Sequence, residues 1–213
     1  MAEINLQSID HGKPFDWGRT SENYAKYRDI YPTSFYAKLR ELGIGLPGQH
    51  VLDLGTGTGV LPRNLGGARF HYMDRSRLMP KLHHVLKPGG LFAICSMIYL
   101  PHECEICRGS EVLVLKYSPN WTGANFTRQN ELPAEPKWIA PMFHVKHRVL
   151  YCEDIPFTRE SWHGRMLSCR GVEASLSSED VMAFTKDHWA YMQTLPEEFT
   201  VKHQVMVFVL ARM

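Results

Sequence analysis

Apolar residues recur at helical spacing through much of the chain and gather into short runs elsewhere. Thr20 or Ser21 caps a first helix carrying Tyr24, Tyr27 and Arg28, which Pro32 breaks. Phe35, Leu39 and Leu42 share one face of a second helix over 34–42, and the turn with Gly43, Gly45, Pro47 and Gly48 ends it. Residues 50–54 form an apolar run that stops at a glycine-rich turn, the pattern of a buried parallel strand. A short helix over 60–65 and a strand over 68–73 follow. Leu78, Leu82, Val85 and Leu86 line one side of a helix over 77–86, which Lys87-Pro88-Gly89-Gly90 stops. The run 91–100 reads as a strand. The stretch 101–142 is rich in Pro, Asn, Gly and charge, with a helix around 111–117 and a long loop. A strand over 145–151, helices over 159–169 and 178–195, and a closing strand over 199–211 complete the series. Ser177 or Ser178, with acids behind it, caps the last helix. Strands alternating with helices predict an α/β fold of three layers.

The length of 213 residues suits one domain. It divides into N-terminal cap helices (1–48), a glycine-turn core (49–100), an insert (101–170) and a closing helix and strand (171–213). Net charge is +2, which excludes a strongly basic nucleic-acid scaffold, so no nucleic-acid partner is expected. No apolar run is long enough to span a bilayer, so no membrane partner is expected either. Residues 1–17 lack a basic region followed by an apolar one. The five cysteines then read as reduced thiols of a cytoplasmic protein.

The segment Val51-Leu52-Asp53-Leu54-Gly55-Thr56-Gly57-Thr58-Gly59 carries the strongest chemistry. Three alternate glycines between a strand and a helix let a ligand approach the backbone, and the helix start offers free N–H groups. The dinucleotide pattern requires a third glycine where Val60 stands, so it does not fit. Asp53 would repel a pyrophosphate but attract a cation. S-adenosyl-L-methionine, with its ammonium and sulfonium, suits it better than NAD.

This segment resembles motif I of class I S-adenosylmethionine-dependent methyltransferases. Leu82-His83-His84-Val85-Leu86-Lys87-Pro88-Gly89-Gly90-Leu91 resembles the same family's later helix, Pro-Gly-Gly turn and fifth strand. Tyr24-Ala25-Lys26-Tyr27-Arg28-Asp29-Ile30-Tyr31-Pro32 is similar to the lead-in of its small-molecule branch, which includes trans-aconitate methyltransferase-like proteins. Phe157-Thr158-Arg159-Glu160-Ser161-Trp162 also fits that branch. The resemblance implies a Rossmann-like three-layer sandwich and direct in-line transfer of a methyl group to a small-molecule acceptor. It implies Asp53, Gly55, Thr56, Gly57 and Gly59 around the cofactor's amino-acid part, Asp74 at the ribose, and Tyr24 and Arg28 closing over it.

The interval between motif I and the Pro-Gly-Gly turn is short. Residues 60–86 make 27 positions, where the full pattern needs on the order of 80. The expected sheet is therefore shortened by roughly two to three strands. A sheet so reduced exposes an edge, through which a homodimer is expected to form. The shortening also supports a second reading, a catalytically impaired remnant that acts as a binding or interaction protein.

Methyl transfer to a carboxylate needs no general base; it needs cationic clamps. Arg19, Arg28, Arg165 and Arg170 are available, and His163 beside Trp162 is the candidate if a base is required. No Asn-Pro-Pro-aromatic motif occurs, which argues against methylation of amino groups on nucleic-acid bases. Cys104-Glu105-Ile106-Cys107 and His144-Val145-Lys146-His147 hint at zinc, but 36 residues separate them, too many for a finger. No metal is expected. Nor does a redox role recommend itself for the cysteines, which follow Pro101 rather than opening a helix after a first strand.

Overall fold

The computed structural model describes residues 9–50, 75–132, 134–135 and 139–213. The expected strands at 50–54 and 68–73 and the helix at 60–65 lie, apart from His50, outside the described residues. So do Asp53, Gly55, Thr56, Gly57, Gly59 and Asp74.

The described residues form an α/β structure around a sheet of three strands: β1 (Leu91–Tyr99), β2 (Phe143–Thr158) and β3 (Glu198–Arg212). Their order is β1-β3-β2, and both pairings are antiparallel. This corrects the expectation of a parallel, Rossmann-like sheet for the described part. The alternating pattern led to the expectation of paired parallel strands, whereas β1 and β2, joined by the crossover through 100–142, run the same way but do not pair. It did not reveal that β3 returns between them and takes their hydrogen bonds. β3 occupies the centre because Val205, Val207, Phe208, Val209 and Leu210 are all buried, so it must be covered on both faces.

Six α-helices surround the sheet among the described residues: α1 (Ser21–Tyr27), α2 (Thr33–Glu41), α3 (Arg75–Val85), α4 (Glu105–Tyr117), α5 (Arg159–Leu167) and α6 (Ser178–Gln193). Val205, Val207 and Val209 meet Phe35, Tyr36 and Leu39 of α2. Further along, Val201, Ile155 and Phe157 join Trp162 and Met166 of α5 in a core shared with α4 and α6. Leu210 and Phe92 instead pack with Met79 and Leu82 of α3. The alternation along β3 thus sends neighbouring residues to different helices. Two helix starts follow their sequence signals. Thr158 and Ser161 form a capping box on α5, and Ser177 Oγ accepts the Asp180 N–H at 3.1 Å on α6.

Two contacts fix the N-terminal segment. Asp10, 2% exposed, accepts Arg170 Nε at 2.5 Å and Nη2 at 2.8 Å, and the Thr122 N–H at 2.7 Å. Burial pushes the Asp10 carboxyl up, but the Arg170 and Thr122 hydrogen bonds outweigh that and hold it below its usual range. Elsewhere α1 lies directly on α5, where Gly164 leaves room for the Tyr27 ring. A Cβ at Gly164 would stand 2.1 Å from Tyr27 Cδ2. Gly164→Ala should therefore destabilise the fold by about 2 kcal/mol through overpacking, although alanine is the better helix former. Urea unfolding of Gly164→Ala with and without Tyr27→Leu checks this: the second change should restore the midpoint. A Gly164→Ala variant as stable as the parent would refute the packing argument.

Candidate functional site

Of the four arginines the sequence offers as clamps, three are engaged. Arg19 Nη2 donates to the Leu176 carbonyl at 2.6 Å. Arg170 holds Asp10. Arg28, just past the end of α1, donates from Nε to Ser168 Oγ and from Nη2 to the Ser168 carbonyl, each at 2.9 Å. Its guanidinium also sits over the Tyr24 ring, 5.1 Å from the centroid. The structure therefore places Tyr24 and Arg28 against each other and against the end of α5.

Arg165 differs. It projects from α5 into the interior, 6% exposed, and its Nε has no hydrogen-bond partner among the described residues. The guanidinium lies over the Tyr99 ring at 5.7 Å. Burial, with the like charge of Arg28 as the next cause, lowers its pKa from 12.5 to about 9. It remains a cation at neutral pH, held in an apolar setting of Tyr99, Tyr31 and Cys169. A buried guanidinium with a free donor is costly unless an anion completes it.

A second unsatisfied group stands nearby. His203 on β3 is directly opposite Tyr99 of β1, with 6.2 Å between the ring centroids. Its Nδ1–H donates to the Val201 carbonyl at 2.9 Å, which leaves Nε2 a bare acceptor with no partner among the described residues. Burial, and then the charge of Arg165, lowers its pKa to about 3. Phe157 stacks on the same imidazole at 6.0 Å.

A cavity of ≈ 270 Å³ is lined by Lys26, Tyr27, Tyr31, Ile155, Phe157 and Ser161 among others; Arg165 and His203 are not among its lining residues. Tyr31 and Phe157 belong both to the cavity wall and to the surroundings of Arg165 and His203. Burial and the nearby Cys95 raise the Tyr31 hydroxyl to about 12, so it stays a neutral donor.

His163 belongs to a different assembly. Trp162 Nε1–H can only donate, and it donates to Ser110 Oγ at 2.9 Å. Ser110 in turn donates to the Ile106 carbonyl at 2.9 Å. The contact of His188 Nε2 with Ser110 Oγ at 3.0 Å must then be a donation from His188, which leaves its Nδ1 bare. His163 Nδ1 therefore donates to His188 Nδ1 at 2.8 Å. Every proton in the chain is assigned, and both imidazoles are neutral. Burial lowers His163 to about 4; burial and His163 lower His188 to about 3. Such a histidine is a weak base, tied into the joint of α4, α5 and α6.

The zinc hint finds no support in placement. Cys104 accepts the backbone N–H of Lys202, whereas His144 pairs with Ala211. Nine residues of β3 separate those points, about 30 Å.

Sequence reasoning missed His203, Tyr31 and Tyr99. A signal existed for His203, which interrupts an otherwise apolar set at 201, 205, 207 and 209, all buried. No protein-family model matches the chain, and no curated protein matches it.

Proposed function

We propose that the protein transfers a methyl group from S-adenosyl-L-methionine to a small-molecule acceptor that carries a carboxylate. The methyl-transfer half of this reading rests on residues 51–59, where Asp53 and the alternate glycines suit a cationic cofactor. The observation that carries the acceptor half is Arg165, buried with its Nε unpartnered among the described residues. A guanidinium presents paired donors that match a carboxylate. His203 Nε2 offers an acceptor for a hydroxyl on the same molecule. The cofactor supplies an electrophilic methyl; the chain's part is to orient the acceptor oxygen toward it and to exclude water. A carboxylate nucleophile needs no proton removed, which suits a site whose imidazoles are poorly basic. In the same reading Asp74 serves the ribose, while Tyr24 and Arg28 hold the lead-in helix against α5 beside the acceptor.

Calorimetric titration of the 213-residue protein with S-adenosylhomocysteine tests the cofactor half. Saturable one-to-one binding is expected, and Asp53→Ala should weaken it about a hundredfold, as loss of a charge that pairs with the ligand does. A folded protein that binds nothing would refute methyl transfer and favour an interaction role. Binding untouched by Asp53→Ala would remove Asp53 from the site.

A further inference from the structure

Cys104 and Cys107 open helix α4. Cys104 is the N-cap residue, in extended conformation (φ −142°, ψ 108°), and Cys107 is the third residue of the helix. This overturns the ground on which a redox role was set aside, since the pair does begin a helix, just beyond strand β1. The Cys107 thiol stands close enough to Cys104 Sγ to favour its charged form by hydrogen bonding. The same sulfur accepts backbone N–H groups of Cys107, Ile106 and Lys202. Two of those are first-turn donors that a helix leaves unused. The burial of the two differs. Cys104 is partly exposed, while Cys107 is completely buried.

We propose that Cys104 and Cys107 form a reversible dithiol–disulfide pair that exchanges with low-molecular-weight organic disulfides, Cys104 attacking and Cys107 resolving. Cα atoms three residues apart at a helix start lie about 5 Å from each other, within the Cα–Cα span of a disulfide. The Cys104 thiolate attacks one sulfur of the disulfide RSSR. The S–S bond breaks, RS⁻ departs, and a mixed disulfide remains on Cys104. Cys107 then yields its proton to the departing RS⁻ and attacks Cys104 Sγ, which releases a second RS⁻. The two protein sulfurs are oxidised by two electrons, and RSSR is reduced to one thiol, which carries the Cys107 proton, and one thiolate, which takes its proton from water.

The surroundings divide the roles in that order. The hydrogen bond from Cys107 is the largest influence on Cys104; it and the backbone donors outweigh burial and lower the thiol from 9.0 to about 6. Burial, the contact with Cys104 and the carboxylate of Glu111 push Cys107 the other way. At neutral pH the partly exposed sulfur is a thiolate and the buried one a thiol. The inference is independent of methyl transfer, and its test requires no cofactor.

The reduced 213-residue protein is alkylated with iodoacetamide at pH 5.5, both native and in urea, and cleaved after Glu105 so that each cysteine is read separately. Native Cys104 should react about thirtyfold faster than unfolded Cys104, the gain in thiolate fraction being partly offset by lower nucleophilicity. Glutathione disulfide should then produce a 104–107 cross-link, with the parent mass lower by two hydrogens. Cys107→Ser should stop at a glutathione adduct on Cys104. Native alkylation no faster than in urea would overturn the proposal. So would a glutathione adduct that persists on Cys104 of the parent protein without closing onto Cys107.

Discussion

Acidifying the protein from pH 7 to pH 5 is expected to remove about 5 kcal/mol of folding stability, a large part of what a domain possesses. The cause is three buried neutral imidazoles. His163, His188 and His203 have folded pKa values of about 4, 3 and 3, against 6.5 in the unfolded chain. Below 6.5 the unfolded state takes up three protons that the folded state refuses until near 4. The stability they confer is therefore complete above 6.5 and declines by roughly 4 kcal/mol per pH unit between those limits. Glu111, raised by burial, works in the opposite direction with a single proton. Asp10, held low, loses its contribution only at lower pH. His188 is the most sensitive point. A proton on its Nδ1 would face the Nδ1–H of His163 and break the bond that joins α5 to α6. Urea midpoints from pH 7.5 to 4.5 measure the slope. The His163→Gln, His188→Gln double variant should lose about two-thirds of it. A slope corresponding to fewer than one proton would show that these imidazoles titrate normally in the folded protein.

Arg165→Met should make the protein more stable and unable to use its acceptor. Among the described residues no carboxylate pairs with the buried Arg165 cation, and replacing buried ionic groups by apolar residues of similar volume stabilises by about 1–4 kcal/mol. For a chain of 213 residues, that raises Tm by roughly 2–4 °C per kcal/mol. Methionine keeps the stem against Tyr99. Acceptor binding should fall about a hundredfold or more, while S-adenosylhomocysteine binding should remain within a fewfold of the parent. Differential scanning calorimetry and the two titrations separate the outcomes. A lower Tm would identify Arg165 as a structural residue and withdraw the clamp. Weaker cofactor binding with unchanged acceptor binding would move Arg165 to the other half of the site.

The sequence conveyed local structure well where a signal was local. The Ser177 cap, the Pro88-Gly89-Gly90 stop and the periodicity of 34–42 all lie within a few residues of the boundary they mark. It conveyed less where the deciding contact was distant. The helix expected around 111–117 begins earlier, at Glu105, and runs straight through Gly109. In the fold that glycine makes room for Tyr191, whose hydroxyl would stand 2.4 Å from an added Cβ. With the early turn unread, the N-cap position of Cys104 was hidden too. The antiparallel insertion of β3 was equally beyond reach, since its partners lie more than a hundred residues away in β1 and 40 or more in β2. Arg165 was visible as a cation, but its burial depends on Tyr99 and Tyr31 from two other segments. His163 was noticed for its neighbours in sequence, whereas its role follows from His188 and Ser110 on other helices.

The central position of β3 sets an order of events on the ribosome. Among the described residues, β1 emerges first with no strand to pair with, and β2 emerges later and does not pair with it. Both wait for residues 198–212, which supply every ladder described in the sheet. At cellular elongation rates that delay is on the order of ten seconds. During it, the apolar run 91–99 is exposed to other nascent chains, and a holdase that shields it would improve the yield of folded protein. Moving β3 to the front of the chain by circular permutation would let each strand zip onto a waiting template.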